Sequence, residues 1–318
     1  MDANPPLAFP PAPFDGQRFR NQSGRPANGF GGVLRWMLTR HRPPWPKHVP
    51  ANPSPRPLPE VDDGTIRVTL IGHATVLLQF DGLNIVTDPM WSDRAGPVSW
   101  FGVKRVRPPA ITLADLPKID FVLLSHNHYD HLDRPTLKAL VRRDAPLILT
   151  GLKVGKAVPS DRIVELDWWQ NHDLTSTVRA TYVPAEHFSA RGPFDRNATL
   201  WGGFVLETPS GTIYFAGDTG RGPHFAQIRE HFGPITLSLL PIGAYAPRWF
   251  MSPVHADPAE AVAAAVTLGS QLTLPIHYGT FPLADDAFAD PPRELAEALA
   301  ATRVNFPVVP FGEPVTIR

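Results

Sequence analysis

The sequence predicts an α+β fold, two mixed sheets covered by helices and preceded by an extended arm. Three observations carry that expectation. Short apolar runs of strand length, bounded by Gly, Pro, Asn and Asp, recur from residue 65 onward. Helical windows fall among them without strict strand–helix–strand alternation. Before residue 60 neither periodicity holds, and Pro, Asn and Arg dominate.

The head comes first. Between Gly16 and Pro59 stand eight Lys or Arg residues and no Asp or Glu, and many of the 38 prolines precede residue 60. Residues 1–60 therefore read as a basic, Pro-rich arm and residues 61–318 as the folded body. Within the arm, Phe30, Val33, Leu34, Met37 and Leu38 recur at helical spacing, with Trp36, Arg35, Arg40 and Arg42 around them. A helix over residues 30–41 suits either an interfacial segment resting on a membrane or a short helix packed on the body.

Composition bounds the rest. With 43% hydrophobic and 19% charged residues over 318 positions, most of the chain can fold. Residues 60–318 carry 22 basic and 28 acidic side chains, which argues against a nucleic-acid partner. Met1–Phe14 lacks a basic and then apolar leader, and no apolar run approaches about 18 residues. A cytoplasmic protein, at most peripheral at the inner face of a membrane, is expected. There is no cysteine, so any zinc must be held by His and carboxylates.

Strands are expected at Ile66–Ile71, Thr75–Phe80 and Leu83–Thr87, with Asp81-Gly82 as a hairpin turn. Further runs lie at Phe121–Leu124, Leu147–Thr150, Val178–Val183, Gly203–Glu207, Thr212–Ala216, Leu237–Ile242 and Leu272–Ile276. Helices are expected at Arg134–Arg143, Pro223–Phe232, Pro258–Leu268 and Pro292–Thr302, several opened by Pro in the first turn. No internal repeat and no glycine-rich phosphate loop is present.

The chemistry concentrates where apolar runs stop. Phe121–Leu124 leads through Ser125 into His126-Asn127-His128-Tyr129-Asp130-His131, which puts four metal-binding side chains within six residues. Residues two apart point the same way in extended chain, so His126 and His128 can converge on one ion while Asp130 and His131 turn to another. Two ions need more ligands. His187, Asp218 and His277 follow later strands and supply them. Imidazole and carboxylate at this density suit two zinc ions, and iron or manganese fits the same set. Asp88, at the end of Leu83–Thr87, is placed to orient a ligating imidazole, and His73 to support the site.

The spacing His-x-His-x-Asp-His followed by a separate His, Asp and His resembles the metallo-β-lactamase superfamily. That resemblance implies a metallo-β-lactamase αβ/βα four-layer sandwich, here with an N-terminal extended arm. It also implies one ion on His126, His128 and His187, a second on Asp130, His131 and His277, and Asp218 bridging them. Ile71-Gly72-His73-Ala74-Thr75-Val76, Glu165-Leu166-Asp167-Trp168-Trp169, Phe215-Ala216-Gly217-Asp218-Thr219-Gly220, Pro241-Ile242-Gly243-Ala244-Tyr245 and Pro247-Arg248-Trp249-Phe250-Met251 are similar to the N-acylphosphatidylethanolamine-hydrolysing phospholipase D family. The likeness runs from about Arg18 to the C-terminus and departs from the family at Ser99-Trp100.

Two Lewis-acid ions can hold a bridging water, lower its pKa and present it as hydroxide to phosphorus. The resemblance thus implies a dinuclear phosphodiesterase that releases an N-acylethanolamine and phosphatidic acid from a phospholipid. Asp130, Asp218 and His255 carry the catalytic expectation, His255 beside the substrate phosphate. Trp91, Trp100, Phe101, Tyr245, Arg248, Trp249, Phe250 and Met251 are the expected substrate-binding residues, their aromatic loops walling an acyl-chain groove. The alternative is the same fold and metals acting on a lactone, a β-lactam or a small phosphodiester. Oligomeric state is left open, and a homodimer is compatible with the sequence.

Overall fold

The computed structural model describes residues 9–52 and 54–318, so residues 1–8 and Pro53 of the expected arm lie outside the described residues. In chain order the strands are β1 (Ile66–Gly72), β2 (Thr75–Phe80), β3 (Leu83–Thr87), β4 (Arg94–Val98), β5 (Phe101–Lys104), β6 (Phe121–Leu124), β7 (Leu147–Gly151), β8 (Ile163–Leu166), β9 (Asn171–Asp173), β10 (Arg179–Val183), β11 (Gly203–Thr208), β12 (Gly211–Phe215), β13 (Leu237–Pro241), β14 (Leu272–Ile276) and β15 (Pro314–Ile317). The helices are α1 (Phe30–Thr39), α2 (Arg134–Asp144), α3 (His224–Phe232), α4 (Arg248–Met251), α5 (Pro258–Leu268) and α6 (Asp290–Leu299).

Two sheets result, ordered β15-β1-β2-β3-β6-β7-β8 and β14-β13-β12-β11-β10-β9, with β4 and β5 as a separate hairpin. Alternation along the first sheet divides its side chains between two cores. Val68, Leu78, Ile85, Leu123 and Leu149 join the core shared with the second sheet. Ile71, Leu77, Val86, Val122, Leu124 and Ile148 pack on the other face against Leu137 and Leu140 of α2. Ile228 of α3, Ala261, Ala265 and Leu268 of α5 and Leu295 of α6 complete the shared core beyond the second sheet. The layers therefore run helix, sheet, sheet, helix, in keeping with the expected sandwich.

Local chemistry explains the boundaries. Asp81 and Gly82 both take positive φ, 48° and 73°, as a type I′ hairpin turn requires. Pro258 opens α5, and Asp257 caps it in a box with Glu260; Gly269 ends it in the left-handed region. Helix α6 begins at Asp290 and ends at Leu299, a shift of two to three residues from the expected Pro292–Thr302.

Strands β4, β5, β8, β9 and β15 escaped the sequence reading. Arg-Ala-Gly-Pro-Val and Phe-Gly-Val-Lys carry the Gly and Pro of a loop, yet they pair because Gly96 and Gly102 let the two backbones approach. A Cβ on Gly96 would lie 2.0 Å from the Phe101 carbonyl oxygen. No helix among the described residues is long and apolar enough to cross a membrane.

Candidate metal centre

The centre forms at the carboxyl ends of strands from both sheets. β6 ends at Leu124 and delivers His126 to His131, β10 precedes His187, β12 precedes Asp218 and β14 precedes His277. Gly217 permits the approach of Asp218: its φ is +59°, and a Cβ there would lie 2.6 Å from Ser125 Cβ. At the centre itself His73 (φ 55°), Asp88 (φ 32°) and His277 (φ 59°) also hold left-handed backbone without being glycine. Such conformations persist where surrounding bonds over-determine them. Here His277 N–H donates to the His73 carbonyl at 2.9 Å and His73 N–H donates to Thr280 Oγ1 at 3.0 Å.

Two groups of donors face each other. His126 Nε2 lies 2.8 Å from His128 Nδ1, and His187 Nε2 lies 3.2 Å from that same atom. On the other side Asp130 Oδ2 is approached by His73 Nε2 at 2.9 Å, His131 Nε2 at 3.3 Å and His277 Nε2 at 3.4 Å. Asp218 touches both groups: its Oδ2 is 3.1 Å from His131 Nε2, 3.0 Å from His277 Nε2 and 3.7 Å from His187 Nε2. Its Oδ1 is buried without a hydrogen-bond partner among the described residues.

The supporting contacts fix which nitrogen faces inward. His187 Nδ1 donates to the Val254 carbonyl at 2.9 Å, which leaves Nε2 with its lone pair towards the cluster. His131 Nδ1 meets Asp88 Oδ2 at 2.6 Å, and Asp88 also accepts Ser125 N–H at 2.7 Å and Ser125 Oγ–H at 2.6 Å. Asn21, far back in the arm, accepts from His187 N–H at 3.0 Å and from Trp201 Nε1 at 3.0 Å. Ser23 binds the Glu186 carboxylate through both its N–H and its hydroxyl.

Electrostatics divide the imidazoles. Burial, reinforced by neighbouring imidazoles, holds His126 well below the ordinary 6.5, pulls His128 down to about 3, and pulls His187 to about 4. Burial would lower His131 and His277 as well, but Asp218 and Asp130 outweigh it; His131 is raised well above 6.5 and His277 to about 9. A set of neutral imidazoles with apposed nitrogens, and carboxylates crowded by further imidazoles, is a set of donors without a common acceptor. One or two cations would satisfy it, and the buried free Oδ1 of Asp218 fits that requirement.

A pocket of about 270 Å³ opens over the cluster. His128, Asp130, Asp218, His255 and His277 form its floor, and Val33, Trp36, Phe250, Met251 and Leu283 form an apolar wall. The His255 ring stacks on His277 at 5.3 Å and stands edge-on to His187 at 5.1 Å. His255 lies within reach of the same metal-binding group as His187 and Asp218.

Six of the eight expected substrate-binding residues are elsewhere, Phe101 among them, exposed on the β4–β5 hairpin. Phe250 and Met251 line the pocket. Trp91 packs in the core beneath α2 and donates Nε1–H to the Ile111 carbonyl, because its ring faces the apolar side of the first sheet. Trp100 sits at the tip of the β4–β5 hairpin, 77% exposed. Tyr245 is buried outside the pocket lining, and burial, then the Glu294 carboxylate, raises its hydroxyl pKa. Arg248 pairs with Asp257 at 3.2 Å and Glu260 at 2.6 Å and braces the start of α5, and Trp249 stacks under Arg35. Conversely, Asn28, Val33, Trp36, Phe188, Arg196 and Leu283 line the pocket unannounced by any motif. Only the adjacency of Phe188 to His187 and the amphipathic spacing around Trp36 offered a signal.

Comparison with known proteins bears on the whole arrangement. Residues 83–278 match the model of the β-lactamase superfamily domain. The chain is 41% identical to an uncharacterized protein of Mycobacterium tuberculosis over 84% of this chain and 73% of that one. It is 36% identical to N-acyl-phosphatidylethanolamine-hydrolyzing phospholipase D 1 of Caenorhabditis elegans over 93% of this chain and 89% of that one. The solved structure of a metallo hydrolase from the archaeon Ignicoccus hospitalis superposes with a TM-score of 0.60 at 24% identity, covering 80% of this chain and 99% of that one. The chain thus belongs to the metallo-β-lactamase superfamily and, within it, to the family of the N-acylphosphatidylethanolamine-hydrolysing phospholipases D; it is a metal-dependent hydrolase.

Proposed function

We propose that the chain is a dinuclear phosphodiesterase of phospholipase D type, cleaving N-acylphosphatidylethanolamine to N-acylethanolamine and phosphatidic acid. The observation that carries this reading is a pocket whose floor is the His/Asp cluster and whose wall is apolar, in a chain with near full-length likeness to a phospholipase of that name. His126, His128 and His187 would hold one metal, Asp130, His131 and His277 the other, and Asp218 would touch both; zinc suits the donors. Such ions supply Lewis acidity at the phosphoryl oxygens and an activated water.

The residues then divide the work. Asp218, held between His131 and His277, keeps the two groups at a fixed separation. Asp88 orients His131, and His73 holds Asp130. His255, a buried neutral imidazole facing the pocket, offers a ring N–H to a phosphoryl oxygen. Water adds to phosphorus, and the bond to the N-acylethanolamine oxygen breaks. Residues 1–60 act as an arm and residues 61–318 as the hydrolase domain, α1 resting on the lipid surface from which the acyl chains enter.

Turnover of N-acylphosphatidylethanolamine in detergent micelles, with release of N-acylethanolamine, is the expected result for the metal-loaded chain. Activity confined to lactones, β-lactams or soluble diesters, with no phospholipid consumed, would sink the reading.

A further inference from the structure

Arg248, the arginine that the sequence singles out for substrate, is committed to Asp257 and Glu260. Arg191, near the histidine run, is committed to the carbonyls of Asn127 and Leu132 at 2.7 and 2.9 Å and lies over the Tyr129 ring. Arg196 differs from both. It lines the pocket with Asp130, Asp218 and His255. Among the described residues its guanidinium makes one hydrogen bond, from Nη2 to the Asn28 carbonyl at 2.7 Å, and it lies 5.1 Å over the Phe188 ring.

Phe188 in turn packs edge-on to His128 at 4.5 Å, so the cation is one ring removed from the metal-binding cluster. Burial lowers its pKa, and no carboxylate pairs with it among the described residues. A half-buried guanidinium with unused donors and no counter-ion among the described residues is a site for an anion. Its backbone is fixed from below, where Arg18 donates to the Arg196 carbonyl.

We propose that Arg196 binds an anionic phosphate oxygen of the ligand that enters this pocket and thereby selects phosphate-bearing lipids over neutral ones. The inference rests on the phospholipase reading for the identity of its ligand. Phe188 holds the guanidinium plane and Asn28 its direction, leaving the remaining N–H groups free for the anion.

The test uses the metal-loaded full chain and two probes, dihexanoylphosphatidic acid and neutral dihexanoylglycerol. Equilibrium binding is measured for the parent, Arg196→Met and Arg196→Lys, with metal content and melting temperature recorded for each. Arg196→Met is expected to weaken the acid tenfold or more while leaving the neutral lipid within about twofold, and Arg196→Lys to recover part of the loss. In turnover the change falls on KM, with kcat held. Equal weakening of both probes overturns the proposal, since Arg196 then acts only by holding Asn28; unchanged binding of the acid overturns it too. Should the Met variant not fold, Arg196→Gln, which keeps a donor for Asn28, gives the same comparison. If the parent turns over no N-acylphosphatidylethanolamine yet its preference for the acid depends on Arg196, the phospholipase reading fails and the anion site stands. If the lipid is turned over and Arg196→Met discriminates as the parent does, the anion site fails alone.

Discussion

Asp88 shows how much of the centre hangs on single side chains. Its carboxylate accepts from Ser125 N–H, Ser125 Oγ–H and His131 Nδ1–H, all at 2.7 Å or less, and it is fully buried. It therefore sets the tautomer and ring orientation of His131 while pinning the loop that starts the His126 run. Replacing it by Ala leaves the Ser125 N–H buried without an acceptor, which costs about 1–3 kcal/mol. It also frees the His131 ring, and losses of about 10–100-fold in metal affinity follow from removing such supports. Asp88→Ala is expected to show both effects in a metal titration and a melting curve; undiminished metal affinity would remove Asp88 from the site. Asn21 holds the backbone of His187 in the same way from a position 166 residues away. It carries no signal in the sequence, because an Asn in a Pro-rich head looks like any turn residue.

Helix α1 is the element whose placement is least ordinary. None of its residues is buried, yet it walls the pocket through Val33 and Trp36. It is held by directed contacts: Trp36 stacks on Phe250 at 4.9 Å and donates to Asp285 at 2.8 Å, Arg40 pairs with Asp285 at 2.8 Å, and Arg35 covers Trp249. Its remaining apolar side chains, Phe30, Leu34, Met37 and Leu38, face solvent. A helix that turns its apolar residues outward, with basic groups beside them, has the arrangement that the proposed interfacial role requires. Changing Phe30, Leu34, Met37 and Leu38 together to Gln is expected to leave stability within about 0.5 kcal/mol per site. The same change is expected to abolish sedimentation with anionic phospholipid vesicles. Vesicle binding equal to that of the parent would leave the helix a pocket wall and nothing more.

At the scale of the whole molecule, the centre ties stability to pH. His128 and His187 stay neutral in the folded chain down to about 3 and about 4, whereas unfolded histidine takes a proton near 6.5. The unfolded state then binds more protons, so stability falls as pH drops below 6.5, by about 1.4 kcal/mol per pH unit for each such histidine. His277, raised to about 9, works in the opposite sense: its contribution is present below 6.5 and lost as pH rises through 9. The metal-free chain should therefore be most stable between these limbs. Metal binding needs His277 and His131 deprotonated, so loading should erase the alkaline decline and deepen the acid one. Melting temperature against pH, with and without a chelator, checks this; parallel curves would show that the cluster does not bind metal. The division between sequence and tertiary structure follows from the range of the forces involved. Apolar runs of strand length, and the polar residues at which they stop, are local, so the sequence alone placed His126, His128, Asp130, His131, His187, Asp218 and His277 at strand ends and predicted the layered fold. Local signals could not say which arginine keeps free donors, since whether a carboxylate reaches Arg248 or Arg196 depends on how the chain folds around each. Nor could they say that Trp91 turns into the core while Trp36, through an Asp285 that lies 249 residues on, closes the pocket. Those outcomes depend on how two sheets and an arm pack together, and only the tertiary structure decided them.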